Sequence, residues 1–262
     1  MRTALTDLDL RSTSPDTARP PVPNLALDRR TLLRAAGLTT VLTALGACGG
    51  SEPEPPSDVD VDSEDGTVRD GFDRPDGPIG RADSGQIWVE AGGTWSILSG
   101  AARAVTEFRS QVCAAMLETD SPDGRLELSL RLSSTRRRAN AGAVLRVVDA
   151  DNGLFVKLER TPVNPDGMLA IGMTRDGRVE YPAIRTSGIA FGNGDALRLV
   201  VDLAGPLITV SVSTGETIEH ALDDEDAAIF AGQTQHGLRI NIAPDDDDGG
   251  SSFDQLRFTP SS

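Results

Sequence analysis

The sequence predicts an all-β fold, a two-layer antiparallel β-sandwich, over residues 72–260. Polar and apolar residues alternate strictly over residues 125–132, and shorter runs with the same period lie at 197–203, 208–212 and 238–242. A period of two places alternate side chains on one face of a sheet. Asp-Gly and Asn-Gly pairs, which form turns, separate the runs. Roughly a dozen short strands joined in this way, without a long helical period, indicate a sandwich.

The segment ahead of this region has the features of an export signal. Arg29 and Arg30 precede an uncharged apolar stretch, residues 35–47. A helix that spans a bilayer needs roughly 20 apolar residues, so this stretch is too short to span, but it suits a signal-peptide core. Paired arginines before such a core resemble the bacterial twin-arginine signal. The resemblance implies export of a chain that has folded before it crosses the membrane.

The apolar stretch ends at Cys48, in a Leu-Gly-Ala-Cys run that resembles the bacterial lipobox. In that motif the cysteine receives a diacylglyceryl group before the signal peptide is cleaved. The resemblance therefore implies a twin-arginine lipoprotein signal peptide over residues 1–47 and lipidation of Cys48. Two or more acyl chains hold a protein firmly at a bilayer. We expect a lipid-anchored protein on the extracytoplasmic face of the cell membrane; the alternative is an amphipathic helix with a chance match.

Residues 48–71 are dominated by acidic residues and proline. Such a segment offers almost no apolar surface to offset the entropy of ordering, and its like charges repel one another. We therefore expect a disordered tether between the anchor and the sandwich. This spacer would hold the following domain away from the membrane surface.

The composition excludes some classes of partner and sets the means of stabilisation. The formal net charge is −15, and such an acidic chain repels phosphate backbones, so nucleic-acid binding is not expected. If Cys48 is lipidated, Cys113 has no partner for a disulfide within the chain. Cys113 lies in an apolar run, where a free thiol behaves as a small buried hydrophobe. The domain must then be stabilised by its core.

The two ends of the predicted sandwich resemble a known superfamily. The opening, residues 72–104, contains Phe-Asp-Arg-Pro-Asp-Gly and two tryptophans, and the closing run, residues 252–258, reads Ser-Phe-Asp-Gln-Leu-Arg-Phe. Both are similar to concanavalin A-like (laminin G-like) jelly-roll domains of bacterial surface and phage proteins. The resemblance implies a jelly roll whose closing strand pairs near the first strand. The same scaffold carries lectins, glycosidases and adhesion modules, so it does not itself define the function.

Aromatic residues are scarce in this chain, at 4%. Trp88 and Trp95 are predicted to pack inside the sandwich, since large aromatic side chains dominate core burial. Tyr181 is the only tyrosine. Sugar-binding faces usually present several aromatic platforms, so the scarcity disfavours a strong lectin. Arg146 and Tyr181 are the candidate ligand-binding residues.

Catalysis has one candidate signature. Glycosidases of the superfamily use two carboxylates on one strand face, spaced about 5–5.5 Å apart when the stereochemistry is retained, and the sequence lacks that motif. Residues 140–146, Asn-Ala-Gly-Ala-Val-Leu-Arg, are similar to a signature of the 3-keto-disaccharide hydrolase-like family, with alanine where that family has serine and isoleucine. The resemblance implies roles for Asn140 and Arg146. A shared turn at the start of a strand is the alternative explanation.

The two histidines are not expected to form a metal pair. His220 has the parity of neighbouring apolar residues, which predicts a partly buried structural histidine. His236 precedes a predicted strand, which predicts an exposed side chain. Neither position belongs to a recognised metal or catalytic motif.

Calcium is the predicted metal, because hard oxygen ligands suit it. An acidic run at residues 245–248 lies just before the closing strand. Asp254 has the parity of the apolar residues of that strand and is expected to face inward, where a carboxylate needs donors or a cation. Asp73 would join Asp254 if the two ends of the domain pair. A solvated acidic loop is the alternative.

Taken together, these features predict a surface-tethered extracytoplasmic lipoprotein whose jelly roll is a binding module for a glycan or for adhesion. The expected partners are the membrane, through the lipid anchor, and a glycan or cell-envelope polymer. A glycan-processing hydrolase and a purely structural envelope protein are the alternatives. The more direct expectation is that the domain is not an enzyme.

Overall fold

The structure is a computed structural model of the chain. It describes residues 65–105, 111–132, 139–161, 164–192, 194–242 and 250–262. The predicted export signal at Arg29 and Arg30, the predicted anchor at Cys48 and the acidic run at 245–248 lie outside these residues.

The described part of the chain forms sixteen strands and one short helix. In chain order they are β1 (Val68–Asp70), β2 (Gly77–Pro78), β3 (Val89–Ala91), β4 (Thr94–Ile97), β5 (Ala102–Val105), β6 (Gln111–Glu118), β7 (Gly124–Arg131), β8 (Ala139–Asp149), β9 (Asn152–Thr161), β10 (Asn164–Arg175), β11 (Arg178–Arg185), β12 (Ala196–Ala204), β13 (Leu207–Val212), β14 (Thr217–Ala221), α1 (Asp224–Phe230), β15 (Gln235–Ile242) and β16 (Ser252–Pro260).

These strands make two antiparallel sheets packed face to face. One has nine strands, in the order β14-β13-β12-β7-β16-β5-β4-β2, with β1 also paired to β16. The other has seven, in the order β11-β10-β9-β8-β15-β6-β3. The predicted all-β, two-layer antiparallel sandwich of the jelly-roll type is therefore confirmed. The closing strand β16 pairs with β1, Val68 opposite Phe258, so the sheet begins ahead of the predicted boundary at residue 72.

The core lies between the two sheets and follows from the period-two pattern. In β7, Leu126, Leu128 and Leu130 are fully buried, whereas the residues between them face away from the core. In β12, Leu199 and Val201 are fully buried in the same way. Burying a side chain of this size contributes about 1.5–3 kcal/mol relative to leaving it exposed. Alternation along each strand is thus what holds the two sheets together.

Both tryptophans are buried, as predicted, and one of them contacts a buried carboxylate. Trp88 Nε1 donates to Asp70 Oδ2 at 2.8 Å. The backbone N–H of Phe72 and both terminal nitrogens of the Arg74 guanidinium also donate to Asp70. A buried carboxylate is tolerated only when such donors surround it. Asp70 therefore fixes the first strand to the segment that carries Trp88.

Cys113 is a buried free thiol of β6, which confirms the expectation of a small core residue. Burial raises the pKa of this thiol to about 11, because the thiolate would lose its hydration. At neutral pH the group is therefore protonated and weakly reactive.

The single helix of the described residues is short and is capped by an acidic side chain. Asp223 accepts a hydrogen bond from the backbone N–H of Asp226 at 2.9 Å, as an N-cap residue does. Asp226 is itself buried and pairs with Arg175 at 3.2 Å. Within the described residues, no helix has the length and apolar character needed to cross a membrane.

Candidate functional site

Charged side chains are buried on the face of the seven-stranded sheet that points away from the core, which we call the outer face. In β9 the core residues are Leu154, Val156 and Leu158. The residues between them, which include Lys157 and Glu159, point to the outer face. Both charged side chains are nevertheless 4% exposed. Lysine and glutamate are rarely buried so completely unless they are paired.

Lys157 and Glu159 form an ion pair through Nζ and Oε2, two residues apart on the same face. Lys157 is the only lysine of the chain and Tyr181 the only tyrosine, and the two are in contact. Lys157 Nζ lies 5.3 Å from the centroid of the Tyr181 ring. An ammonium at this distance is attracted to the electron-rich face of a ring. The structure thus brings together two unique side chains from different strands.

A second cation, Arg239 of β15, lies on the same face and is 6% exposed. Its guanidinium carbon is 4.1 Å from the centroid of the Phe155 ring, and Phe155 meets Tyr181 edge-on at 5.7 Å. Burial lowers the pKa of Arg239 to about 10, although Tyr181 and Glu159 act in the opposite direction. We refer to Phe155, Lys157, Glu159, Tyr181 and Arg239 as the outer-face cluster.

Glycines make room for this cluster. Gly142 of β8 lies opposite Lys157 on one side and opposite Arg239 on the other, so no side chain separates the two cations. A Cβ at Gly142 would overlap the carbonyl oxygen of Val156. A Cβ at Gly172 would overlap the Phe155 ring. Both positions therefore require glycine. At each of them the absence of a side chain leaves space beside a residue of the cluster.

A cavity of about 360 Å³ opens beside Lys157. The described residues that line it are Lys157, Glu159, Thr161, Asn164, Met168, Tyr181 and Ile184. Glu159 is the one carboxylate among them. Hydrolysis of a glycosidic bond uses two carboxyl groups about 5–10 Å apart, and these lining residues do not supply that pair. The cavity combines a charged floor with apolar and aromatic walls, which is the usual composition of a binding site.

Asn140, a predicted catalytic candidate, lies next to the cluster but its amide is engaged by the backbone. It is opposite Glu159 in the ladder between β8 and β9. Its Oδ1 accepts from the backbone N–H of Asn241 at 2.6 Å, and its Nδ2 donates to the carbonyl of the same residue. The side chain thus replaces backbone pairing between β8 and β15. Its role in this structure is to join two strands.

Arg146, the other catalytic and ligand-binding candidate, lies elsewhere. It is fully buried near the far end of β8 and has a left-handed backbone conformation, with φ of 47°. Its Nε donates to the carbonyl of Pro122 at 3.2 Å, and its Nη2 to Asp123 Oδ1 at 2.8 Å. Burial lowers the pKa of Arg146, and Asp123 opposes that shift. The structure therefore does not bring Asn140 and Arg146 together at one groove.

The prediction that His236 is exposed is wrong. β15 begins at Gln235, so His236 shares the core-facing parity of Leu238. The ring stacks on Phe258 with centroids 4.9 Å apart. Its Nδ1 accepts the backbone N–H of Arg146 at 3.3 Å. Burial and the nearby Arg146 charge lower the pKa of His236 to about 4.

His220 is partly buried in β14, as predicted, opposite Ile208 of β13. The two histidines therefore lie on different sheets. One belongs to the core and the other to a sheet edge.

The prediction that Asp254 faces inward is also wrong. A β-bulge between Phe253 and Gln255 shifts the register of β16 against β7, so the alternation that buries Leu256 and Phe258 does not extend back to Asp254. The side chain is 35% exposed and pairs with Arg131 Nε at 3.1 Å. Asp73 is exposed. The described residues contain no group of three or more histidine, cysteine or acidic side chains able to hold a metal ion.

Sequence reasoning identified Tyr181 but missed Lys157, Glu159 and Arg239. One signal was present: a lysine and a glutamate interrupt an apolar strand at the parity opposite to its core residues. That parity alone predicts an exposed, solvated face. Their burial, and the approach of Arg239 from a strand about eighty positions later, depend on cross-strand register.

Comparison with known proteins identifies the fold. The chain matches no protein-family model, and no curated protein matches it in sequence. Among solved structures, the exoplasmic/lumenal domain of VIP36 in a Ca2+/Man2-bound form is similar, with a TM-score of 0.51 and 12% identity, covering 74% of this chain and 87% of that one.

Two further solved structures are similar to the same extent. SCLam, a non-specific endo-β-1,3(4)-glucanase from family GH16, has a TM-score of 0.51 and 10% identity, covering 72% of this chain and 88% of that one. The CBM2 module of evolved Dit from Lactobacillus casei BL23 phage J-1 has a TM-score of 0.51 and 7% identity, covering 73% and 95%. At such identities the likeness shows a shared jelly-roll fold and nothing finer.

Proposed function

We propose that the jelly-roll domain is a non-catalytic glycan-binding module, and that its site is the cavity beside the outer-face cluster. The observation that carries this proposal is the buried Lys157–Glu159 pair beneath Tyr181, at the floor of the cavity. A saccharide presents hydroxyl groups that both donate and accept hydrogen bonds, together with apolar ring faces. The ammonium donates, the carboxylate accepts, and the tyrosine ring offers a face for stacking.

The energetics favour binding over stabilisation as the reason for this pair. Burying two opposite charges costs free energy that their attraction often does not recover, so a buried ion pair is weak support for stability. Apolar side chains at Lys157 and Glu159 would serve the sheet at least as well. A pair of fixed charges that lines a cavity favours ligand binding, because its hydrogen-bonding groups are already oriented before the ligand arrives.

The similar structures support the same class of function. VIP36 is described in a form bound to Ca2+ and Man2, SCLam is a glucanase, and the phage domain is a carbohydrate-binding-type module by name. Each concerns a saccharide or a module named for one. For this chain, the single carboxylate among the described cavity residues favours binding over hydrolysis.

Glycan-array binding with variants of the full chain tests the proposal. We use Cys48→Ser as the parent, so that the chain can be handled without a lipid, and compare Tyr181→Ala with Leu207→Ala. Leu207 is a similarly exposed apolar residue on the other sheet. We expect about tenfold weaker binding for Tyr181→Ala, since a stacked ring contributes about 0.5–1.5 kcal/mol in addition to the apolar area that it buries, and no change for Leu207→Ala. A parent that retains no glycan contradicts the proposal.

We also propose that this module is held at the extracytoplasmic membrane surface by a lipidated Cys48 after twin-arginine export. The support is the order of the paired arginines, the apolar core and the lipobox-like run, followed by the acidic tether. Mass spectrometry of the mature chain is expected to find an N-terminal, acylated Cys48. Replacing Arg29 and Arg30 by lysine is expected to leave the precursor inside the cell. A mature chain that begins elsewhere contradicts the anchor.

Calcium stays a proposal that depends on the acidic run at residues 245–248. Asp254 is already paired with Arg131, so Asp73 and Asp254 do not form a calcium cage by themselves. VIP36 is described in both Ca2+-bound and metal-free forms of this fold. Thermal melting of the parent in calcium and in a chelator tests whether the acidic run binds calcium. The double variant Asp246→Asn, Asp247→Asn is expected to abolish any calcium-dependent rise in Tm. The single variant Asp254→Asn is expected to keep it. Equal melting of the parent in both buffers contradicts the proposal.

A further inference from the structure

We infer that the ligand of this site is an acidic saccharide, and that its carboxylate binds Arg239 on the outer face, next to Phe155. The inference rests on the proposed function, because it names the chemical class of glycan that the cavity takes. It starts from Arg239, the cation of the outer-face cluster that has no hydrogen bond or ion pair to a described residue.

Arg239 is the buried cation that lacks acceptors. Arg239 is 6% exposed. None of its five N–H groups donates to a described residue, and it forms no ion pair with one. Contact with the Phe155 ring compensates part of the charge but provides no hydrogen-bond acceptor. No Arg239 nitrogen is among the fully inaccessible side-chain atoms that lack a partner, so these donors keep some access to solvent. A ligand carboxylate can therefore reach them, and a hydrogen bond to a charged group contributes about 1.5–3 kcal/mol.

The neighbouring charges leave Arg239 available. Lys157 and Glu159 are paired with each other, so the cluster has one positive charge in excess at Arg239. The carboxylate of Glu159 pairs with Lys157, and its charge also raises the pKa of Arg239. A neutral saccharide would leave this charge uncompensated. A saccharide with a single carboxylate would balance it.

The geometry favours a planar anion close to the sheet. Arg239 lies over the Phe155 ring, and the planar fork of N–H groups of a guanidinium matches the two oxygens of a carboxylate. Gly142 lies on β8, the strand between β15 and β9, and is opposite both Arg239 and Lys157. The Cα atoms of Arg239 and Lys157 are therefore about 9–10 Å apart. Since Gly142 presents no side chain, the Arg239 side chain can cross β8 and bring its guanidinium to Phe155 of β9.

Uronic acid oligosaccharides and their methyl esters are the decisive probes, because esterification removes the charge and keeps the sugar skeleton. We measure binding of trimers of galacturonate, glucuronate and mannuronate, each as free acid and as methyl ester, to the full chain carrying Cys48→Ser. We expect at least one free acid to bind at least about tenfold more tightly than its ester, as a charged hydrogen-bonded pair contributes about 1.5–3 kcal/mol.

Variants assign the preference to the guanidinium. Arg239→Gln is expected to bring the acid-to-ester ratio close to one, and Arg239→Lys to recover part of it, since lysine keeps the charge but not the bidentate geometry. Arg257→Gln is the matched control, because Arg257 is an exposed arginine of the other sheet. Should Arg239→Gln fail to fold, 15N-arginine labelling of the parent provides a second readout: the guanidinium signal that is missing from Arg239→Lys is expected to shift with the free acid and not with its ester.

The outcomes separate the two proposals. Binding of neutral glycans that Tyr181→Ala abolishes, without any preference for acids, overturns the acidic ligand and keeps the glycan-binding module. A stronger response to sulfated glycans than to uronates also overturns the carboxylate. Absence of binding to every glycan, neutral and acidic, overturns both. An acid preference that Arg239→Gln leaves unchanged overturns the role of Arg239.

Discussion

Arg146 and Arg239 are two buried arginines of the seven-stranded sheet with opposite surroundings. Arg146 donates to the Pro122 carbonyl and to the Asp123 carboxylate, and only its Nη1 lacks a partner. Arg239 packs on Phe155 and donates to no described residue. Burial and residue type are therefore the same, while the supply of acceptors differs. The fold provides the partners of Arg146; we propose that a ligand provides those of Arg239.

The largest effect is expected from removing Arg146. Arg146→Met should lower the free energy of unfolding by about 3–4 kcal/mol, because the Pro122 carbonyl and part of Asp123 lose their partner inside the protein. Urea unfolding of the full chain measures this difference, and glycan binding of the folded fraction should be unchanged. A loss below about 1 kcal/mol would contradict a structural role for Arg146.

The next largest effect is expected on the pH dependence of the free energy of unfolding, and it comes from His236, which contacts Arg146. Folded His236 accepts a proton near pH 4, whereas an unfolded histidine does so near pH 6.5. Below pH 6.5 the unfolded chain therefore binds a proton at His236 that the folded chain does not bind. The free energy of unfolding falls as the pH drops towards 4. The gap of about 2.5 units corresponds to about 3 kcal/mol. Unfolding measured from pH 7 to 4 should show this loss.

His236→Gln should remove that part of the pH dependence, because glutamine does not titrate. His220→Gln is the control, since His220 lies on the other sheet and is partly exposed, and the slope should persist in it. Equal slopes for the two variants would mean that other groups cause the acid sensitivity.

The smallest effect on stability is expected at Arg239. Arg239→Met keeps most of the side-chain volume and removes a buried charge that has no hydrogen-bonded partner, so the free energy of unfolding should change by less than about 1 kcal/mol or rise. Urea unfolding beside Arg146→Met gives the direct comparison. A loss as large as that of Arg146→Met would show that the protein itself uses the Arg239 charge.

The fold was predictable because strand alternation and turn residues are local properties. The runs that contain Leu128 and Leu199 could be assigned to a core face without knowing their neighbours. The two errors of orientation came from local departures that a fixed period does not reveal. A β-bulge turned Asp254 outward, and an earlier start of β15 carried His236 into the core.

The candidate site was much less predictable. The sequence singled out Tyr181 for its rarity and Arg146 for a short resemblance, and only Tyr181 lies at the cavity. Lys157 and Arg239 are over eighty positions apart and become neighbours across Gly142 through two strand pairings. No local pattern specifies such pairings, because each depends on the register of a third strand.

The sequence by itself determined the class of fold and the burial of the leucine-rich strand faces, since each depends on composition or spacing along a short segment. Its first 48 residues predict an export signal and a lipid anchor, which stay predictions. The tertiary structure decided which charges are buried together and which buried charge lacks a partner. The physical reason is that the cost of burying Arg239 depends on the acceptors around it, and these come from strands that only the folded sheet brings into contact.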